Sequence, residues 1–135
     1  MAAGFDKDCK VLGSVLNIGF GFTTGGTVTL APRPGNPKPR MVRLPKQRAV
    51  MNSMGFPGQG LQPSVMRLQN SQRYKKRVLL SISGTIEDEI FECLQRSQNF
   101  VSGIELNISS PNTAGLRIFH EPARLRGLIE GLVAE

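Results

Sequence analysis

Two asparagines and two serines lie close together in the segment 107–112. A carboxamide both donates and accepts hydrogen bonds, so Asn107 and Asn112 could surround a small planar polar ligand together with the hydroxyl of Ser110. Serines and asparagines at such spacing are also common in turns and helix caps. The segment is therefore a candidate binding site with an ordinary structural alternative.

The elements around this segment predict where it lies in the fold. Apolar and polar residues alternate from Val101 to Ile108, which predicts a strand, and a helix is predicted from Glu121 to Val133. Strand, polar loop and helix in this order form one βα unit. In folds built from such units the chemistry lies where the strands end.

The remainder of the chain repeats this alternation. We predict strands at 20–29 and 77–83, a strand end at 1–5, and helices at 9–17, 61–72 and 85–97, the last beginning with a cap pattern at Thr85-Ile86-Glu87-Asp88. Four strands alternating with four helices predict an α/β fold with a parallel sheet. Residues 30–60 form an excursion with six prolines, either functional or flexible, with a short strand at Met41–Leu44.

Composition sets further limits. The 135 residues are 39% hydrophobic and 20% charged, as in a soluble protein with one core. No stretch approaches the ~20 apolar residues of a membrane helix, and the start lacks a signal-peptide pattern, so the chain as written is expected to be cytoplasmic. Cys9 and Cys93 are expected to be free and packed, and the single His120 to be structural, with no metal site.

The charge of the chain is unevenly distributed. The net charge is +7, and no acidic residue occurs between Asp8 and Glu87. Such a basic block could bind nucleic acid or another polyanion, which is our alternative function. The block has few aromatic residues and no nucleic-acid motif, so an anionic small ligand or a solvated surface explains it more simply, and we expect no nucleic-acid partner.

Three groups of segments resemble the dihydroorotate dehydrogenase family, in its order and approximate spacing. They are Ala2-Ala3-Gly4-Phe5-Asp6-Lys7-Asp8, then 25–29 with 32–40, then 51–56 with 107–117. The resemblance implies an incomplete (β/α)8 TIM barrel of about four βα units, with residues 1–135 forming one flavin-binding portion. It also implies that flavin mononucleotide (FMN) is the cofactor and that dihydroorotate is oxidised to orotate in pyrimidine (UMP) biosynthesis.

The resemblance implies roles for individual residues. Those implied to contact the flavin are Ala2, Ala3, Gly4, Lys7, Thr27 and Asn107. Those implied to contact dihydroorotate or orotate are Lys7, Asn52, Ser53, Met54, Gly55, Phe56, Asn107 and Asn112. Ser110 resembles the catalytic base that takes a proton from carbon 5 while a hydride leaves carbon 6. A serine is a poor base at neutral pH, so this role needs a proton relay or a water.

The electron acceptor follows less directly from the resemblance. A serine base indicates the quinone-linked branch, whose members are expected to lie peripherally on the inner membrane. Ser81-Ile82-Ser83-Gly84 and Asn52-Ser53-Met54-Gly55-Phe56-Pro57 look more like the soluble branch, so fumarate and NAD stay open beside quinone. The chain resembles only about half of the family's barrel, so we expect it to be nearly inactive on its own. We also expect the open edges of its sheet to self-associate. An inactive truncated gene product is the remaining alternative.

Overall fold

A computed structural model of the chain describes residues 1–111, 113 and 115–134. Its strands are β1 (Thr23–Val28), β2 (Met41–Leu44), β3 (Ala49–Asn52), β4 (Val78–Ile82) and β5 (Gly103–Leu106), and its α-helices are α1 (Leu12–Asn17), α2 (Leu61–Asn70), α3 (Glu87–Ser97) and α4 (Pro122–Ala134). Short 3-10 helices lie at Pro45–Gln47, Gln72–Arg77, Gln98–Phe100 and Leu116–His120.

A three-stranded parallel sheet in the order β1-β4-β5 forms the centre of the fold. All six residues of β1 are buried, although five of them are threonine or glycine. The small side chains allow close packing: a Cβ at Gly25 would lie 2.6 Å from the sulfur of Cys9, and one at Gly26 would lie 2.4 Å from the carbonyl oxygen of Ser81. The glycines of β1 therefore allow the side chain of Cys9 and the backbone of β4 to approach this strand closely.

The expectation of four regular strands is wrong at the first position. Residues 1–6 run beside β1 but share only one isolated parallel bridge with it, between Asp6 and Gly25. Backbone hydrogen bonds still join the two, from Gly4 N to Gly26 O at 2.7 Å and from Gly26 N to Asp6 O at 2.9 Å. A regular ladder is interrupted because Gly4 and Gly26 both have positive φ, at 94° and 101°.

The helices cover the sheet with apolar faces. The core contains Leu12 and Leu16 of α1, Leu61 and Leu68 of α2, Leu80 and Ile82 of β4, and Ile90 and Leu94 of α3. The first helix is shorter than expected, since residues 9–11 form its approach. Both carboxylate oxygens of buried Asp6 accept backbone hydrogen bonds there, from Lys10 N at 2.8 Å and Val11 N at 2.7 Å.

The predicted cap of α3 takes a different form. The helix begins after Ile86, which makes no side-chain cap bond. Instead the carboxylate of Glu89 reaches back and accepts hydrogen bonds from the backbone N and the hydroxyl of Thr85, at 2.8 and 3.2 Å. This contact resembles the one that the glutamate makes in a capping box. The helix begins one residue later than the sequence predicted, because its N-cap is Ile86 and not Thr85.

The proline-rich excursion forms an antiparallel ribbon. Its outer end is the hairpin of β2 and β3, so the predicted strand Met41–Leu44 is confirmed and its partner β3 is new. Its base is closed by paired backbone bonds between Arg33 and Gly58, at 2.9 and 3.0 Å. Within the described residues, no helix is long and apolar enough to cross a membrane.

Candidate functional site

A cleft of about 560 Å³ opens where the parallel strands end and the proline-rich ribbon returns to the body of the protein. Five separate stretches of the chain line it. Its lining residues are Ala3, Gly4, Lys7, Thr27, Met41, Asn52, Met54, Gly55, Phe56, Asn107, Ser109, Ser110 and Pro111. Glycine backbone, hydroxyls, carboxamides and one lysine thus share a single concave surface, which is the usual composition of a small-molecule site.

Asn107 is fixed in orientation by its neighbours. Its Nδ2 donates to Thr27 Oγ1 at 2.8 Å, while its Oδ1 accepts from the backbone N and the hydroxyl of Ser109, at 3.3 and 3.2 Å. Reversing the amide would face the nitrogen toward a donor, so the assignment follows from the hydrogen bonds. The second amide hydrogen has no partner among the described residues and is available to a ligand.

Thr27 links Asn107 to the sheet beneath it. Its hydroxyl lies 3.0 Å from Ser81 Oγ in β4, and both residues are buried. The backbone carbonyl of Asn107 accepts the hydroxyl of Ser83 at 2.7 Å. Asn107 is therefore held by side chains from β1 and from the residue that follows β4, so its amide is oriented before any ligand binds.

Ser110 lies on the loop that follows β5. Its Oγ is 3.1 Å from Thr113 Oγ1, and Thr113 is buried. The loop is also held from the other side, where Nε2 of His120 lies 2.7 Å from the carbonyl oxygen of Ile108. The predicted structural role of His120 agrees with this contact, in which the imidazole ties the 3-10 helix 116–120 to the loop.

The loop 52–56 is held by the opposite side of the ribbon. Asn36 binds it twice, with its backbone N donating to Met54 O at 3.0 Å and its Nδ2 donating to Ser53 O at 2.9 Å. Gly55 has a φ of 69°, and a Cβ there would lie 2.4 Å from Asn36 Oδ1. This close approach explains why a glycine is needed at this point of the loop.

Lys7 gives the cleft a positive charge. Its pKa is lowered from the usual value, chiefly because partial burial penalises the ammonium form and further because Arg40 is also cationic, while Asp8 acts in the opposite direction. Arg40 is anchored by hydrogen bonds from its Nη1 to the carbonyls of Pro34 and Asn36, at 2.6 and 3.2 Å. Two cations therefore influence the same cleft, which favours an anionic ligand.

Hydrogen bonds among Asp8, Gln59 and Arg67 tie the ribbon to the segment that bears Lys7. Asp8 Oδ1 accepts from Gln59 N at 2.8 Å, and its carbonyl accepts from Arg67 Nη1 at 2.9 Å. The Nη2 of Arg67 also donates to Gln59 Oε1 at 2.6 Å. Through these three residues, α2 fixes the base of the ribbon against residues 7–8.

Most of the residues singled out from the sequence meet in the cleft. Ala3, Gly4, Lys7, Thr27, Asn52, Met54, Gly55, Phe56, Asn107 and Ser110 line it. Ala2 and Ser53 do not: Ala2 is exposed, and the backbone of Ser53 is bonded to Arg40 and Asn36. Asn112 lies outside the described residues.

Sequence reasoning missed the residues that support the cleft. Met41, Ser109 and Pro111 also line it, and Ser81, Asn36 and Arg40 hold lining residues in place. The hydroxyl of Ser81 at a buried strand position was a usable signal, because a buried hydroxyl needs a partner. The contacts of Asn36 and Arg40 depend on the path of the ribbon, which the sequence does not specify.

The expectation for the cysteines is confirmed. Cys9 and Cys93 are both free and buried. Burial raises the pKa of each thiol to about 12. Neither lines the cleft, so both thiols belong to the core.

Parallel strands covered by helices, with a polar cleft at the strand ends, define the class of α/β proteins built from βα units, which includes the (β/α)8 barrels. Comparison with known proteins identifies the member of this class. The family model described as "Dihydroorotate dehydrogenase" matches residues 1–135. The chain belongs to the dihydroorotate dehydrogenase family.

Individual relatives agree with the family match. The chain is 39% identical over 144 aligned positions to "Dihydroorotate dehydrogenase (quinone)" of Acidithiobacillus ferrooxidans, covering 99% of this chain and 39% of that protein. It is 40% identical over 149 positions to the protein of the same name from Acidovorax sp. strain JS42, covering 100% of this chain and 42% of that protein.

Solved structures give the same result. The chain matches the crystal structure of ligand-free DHODH from Eimeria tenella with a TM-score of 0.92 and 35% identity, over 99% of this chain and 41% of that one. DHODH from the same organism in complex with ferulenol matches with a TM-score of 0.89 and 34% identity, over 98% and 39%. The predicted fold class, part of a (β/α)8 barrel, is confirmed.

The chain spans about 40% of the length of the relatives that it matches. The family generally binds flavin, and the names of the relatives are those of an oxidoreductase. These findings do not favour the alternative of a non-catalytic basic protein.

Proposed function

We propose that the cleft holds FMN and dihydroorotate or orotate, as part of a dihydroorotate dehydrogenase of pyrimidine biosynthesis. The observation that carries this proposal is the convergence of Lys7, Thr27, Asn52 and Ser110 on one cleft. These residues come from four separate stretches of the chain, and the resemblance to the family implies a site role for each of them. Chance placement would scatter them over the surface.

The residues present fit a flavin. Gly4 lines the cleft with a φ of 94°, and a Cβ there would have only Lys7 Nζ within 4 Å, so a flat ring can approach the backbone of Ala3 and Gly4. The free amide hydrogen of Asn107 and the hydroxyl of Thr27 would bind polar atoms at the edge of the ring, and Lys7 would stabilise negative charge on it. When bound, FMN supplies the acceptor for a hydride.

The same cleft fits the substrate. Orotate is an anion with a planar ring, which suits Lys7 and the carboxamides of Asn52 and Asn107. Ser110 Oγ would receive the proton from carbon 5, and the neighbouring hydroxyl of Thr113, 3.1 Å away, is the first acceptor along which that proton could leave. The fixed orientation of Asn107 would hold the ring while the proton moves.

Quinone is our proposed electron acceptor. Both relatives described above carry quinone in their names, and the resemblance of Ser110 to a serine base supports the same branch of the family. We propose that the complete protein lies peripherally on a membrane, where quinones dissolve. We further propose that residues 1–135 are one portion of a flavin barrel whose outer strand β5 pairs with further protein, either a second copy or other βα units.

Ligand titration tests the proposal directly. The purified chain should bind FMN, and in its presence orotate, with Lys7→Met and Asn52→Leu weakening orotate binding about tenfold or more, as expected for a lost hydrogen bond to a charged group. Lys46→Met, which removes an exposed lysine outside the cleft, should leave orotate binding unchanged.

Two results would contradict the proposed function. One is a folded chain that binds neither FMN nor orotate at millimolar concentration. The other is binding of oligonucleotides that falls steeply with salt and is indifferent to orotate, which would favour the polyanion-binding alternative.

A further inference from the structure

The hydroxyl of Ser81 is buried inside the sheet and has one hydrogen-bond partner among the described residues. Ser81 lies in β4 and is fully buried, and its Oγ is 3.0 Å from Thr27 Oγ1 in the neighbouring strand β1. Ser81 does not line the cleft, whereas Thr27 does. Ser81 can therefore affect a ligand only through Thr27.

The distance between the two oxygens leaves the direction of this hydrogen bond open, and the surroundings decide it. If Thr27 donated to Ser81, the hydrogen of Ser81 would be left in the core without an acceptor. A buried donor without a partner costs more free energy than an ordinary hydrogen bond gains. The direction in which Ser81 donates to Thr27 is therefore favoured.

This direction determines what Thr27 can offer to a ligand. Its oxygen then accepts two hydrogen bonds, from Ser81 Oγ and from Asn107 Nδ2 at 2.8 Å. A hydroxyl has two acceptor lone pairs and one hydrogen, so both lone pairs are occupied and only the hydrogen is left. Asn107 also has a free amide hydrogen and lines the same cleft, so two donors lie side by side.

We propose that Ser81 is a positioning residue, which fixes the hydroxyl of Thr27 as a hydrogen-bond donor toward the edge of the flavin ring. Oxidised isoalloxazine presents carbonyl oxygens and unprotonated ring nitrogens, which are acceptors and match a pair of donors. A ring that presented an N–H there would be rejected, because two donors would face each other.

The inference rests on the proposed function for the identity of the ligand. The contact between Ser81 and Thr27 does not. It joins two paired strands inside the sheet, so it is independent of which surfaces of the chain are exposed.

Neutron diffraction from deuterated crystals of the ligand-free chain tests the direction of the hydrogen bond. The deuterium of Ser81 should lie between the two oxygens, and the deuterium of Thr27 should point into the cleft. A deuterium of Thr27 between the two oxygens would overturn the inference. This measurement involves no flavin, so it decides the direction whether or not the cleft proposal holds.

A double-mutant cycle tests whether Ser81 acts on the flavin through Thr27. Ser81→Ala leaves the hydroxyl of Thr27 free to rotate, so the affinity for oxidised FMN should fall about threefold to tenfold, the range of one hydrogen bond. In the Thr27→Val background, Ser81→Ala should cause no further loss. Thr27→Ser keeps the hydroxyl, so in that background the loss should return. An equal loss in the Thr27→Val background would contradict the inference.

The NMR spectrum of FMN labelled with ¹³C and ¹⁵N gives a readout that loss of packing alone would not move. The ring atom whose resonance shifts in Thr27→Val should also shift in Ser81→Ala. Ser97→Ala is the matched control, because it removes a buried hydroxyl that donates to Cys93 O, away from the cleft. It should change neither the FMN affinity nor the ring resonances.

The outcomes for the two proposals are separate. A change in Ser97→Ala as large as that in Ser81→Ala would mean that any buried hydroxyl has this effect, and would overturn the inference. A folded chain that binds no FMN would contradict the proposed function, and the deuterium positions would then decide the inference by themselves.

Discussion

At the scale of single residues, Asn107 has the greatest structural consequence for the cleft. It joins Thr27 of β1 to Ser109 of the loop after β5, using both ends of its amide. Asn107→Ala should lower the free energy of unfolding by about 1–3 kcal/mol, because it removes three hydrogen bonds and leaves Thr27 with fewer partners. Urea unfolding measures this change.

The matched variants for Asn107 separate its two roles. Asn107→Asp keeps the acceptor for Ser109 and allows the hydroxyl of Thr27 to donate, so it should cost less than the alanine. Asn99→Ala, at an exposed asparagine of a 3-10 helix, should stay within about 0.5 kcal/mol. Equal losses for Asn107→Ala and Asn99→Ala would show that the amide bridge contributes nothing to stability.

Lys7 allows a prediction about pH. Its pKa is lowered by burial and by the charge of Arg40, so its ammonium should lose its proton below the usual lysine pKa of 10.5. Arg40→Gln removes one of the two lowering causes, so the pKa of Lys7 should rise. NMR titration of lysines labelled at Cε measures both values.

Arg40→Lys is the control for the pH prediction. It keeps a positive charge near Lys7, so the pKa of Lys7 should stay lowered. If orotate binding depends on the Lys7 cation, affinity should fall as pH rises through this lowered pKa, and should fall at higher pH in Arg40→Gln. A pKa of Lys7 that moves downward in Arg40→Gln would contradict the electrostatic explanation.

At the scale of elements, the glycines of β1 decide how closely the strands approach. Gly26 has a φ of 101°, and a Cβ would meet the backbone carbonyl of Ser81 at 2.4 Å. Gly26→Ala should therefore lower the free energy of unfolding by about 3 kcal/mol or more, since neither backbone can move without breaking the β1–β4 ladder. Urea unfolding or the yield of folded protein would register the loss.

Gly21 is the matched control for Gly26. It lies two residues before β1, has no positive φ, and a Cβ there would meet nothing within 4 Å. Gly21→Ala should be neutral or stabilising by up to about 1 kcal/mol, because alanine restricts the unfolded chain. Similar losses at the two positions would indicate that chain flexibility, and not the contact with Ser81, sets the requirement.

Most of the helices and strands could be predicted from the sequence, and two strands could not. Apolar periodicity predicted α2, α3, α4 and the three sheet strands, because each buries one face or both. It did not predict β3, whose residues are all exposed, since no burial pattern marks them. The first strand was wrong for a related reason: the positive φ of Gly4 and Gly26 is a tertiary requirement that no local pattern reveals.

More of the residues that line the cleft were predicted than of the residues that hold them in place. Lys7, Thr27 and Asn107 were identified by resemblance to a family, and physical periodicity alone would have left each as an ordinary surface, strand or turn residue. Their convergence follows from parallel strands, whose carboxyl ends meet at one edge. Asn36, Arg40 and Arg67 could not be predicted, because their contacts span the ribbon and depend on its path.

At the scale of the whole molecule, the two buried thiols couple stability to alkaline pH. Burial raises the pKa of Cys9 and Cys93 from 9.0 to about 12 in the folded chain, whereas exposed thiols of the unfolded chain ionise near their usual value. Between about pH 9 and 12 the unfolded state therefore loses protons that the folded state keeps. The free energy of unfolding should fall over this window, by up to about 1.4 kcal/mol per pH unit for each thiol.

Substitution of the thiols isolates this contribution from other alkaline effects. Cys9→Ala with Cys93→Ala should be less stable at pH 7, since each change leaves a small cavity, but its stability should decline less steeply above pH 9. Urea unfolding at pH 7, 9 and 10.5 gives the two slopes. Lys7, whose pKa is lowered, acts in the opposite direction and is present in both proteins, so it cancels in their difference. Parallel slopes would mean that the thiols are already accessible in the folded chain, and rapid reaction of native Cys93 with a thiol reagent at neutral pH would establish the same point independently.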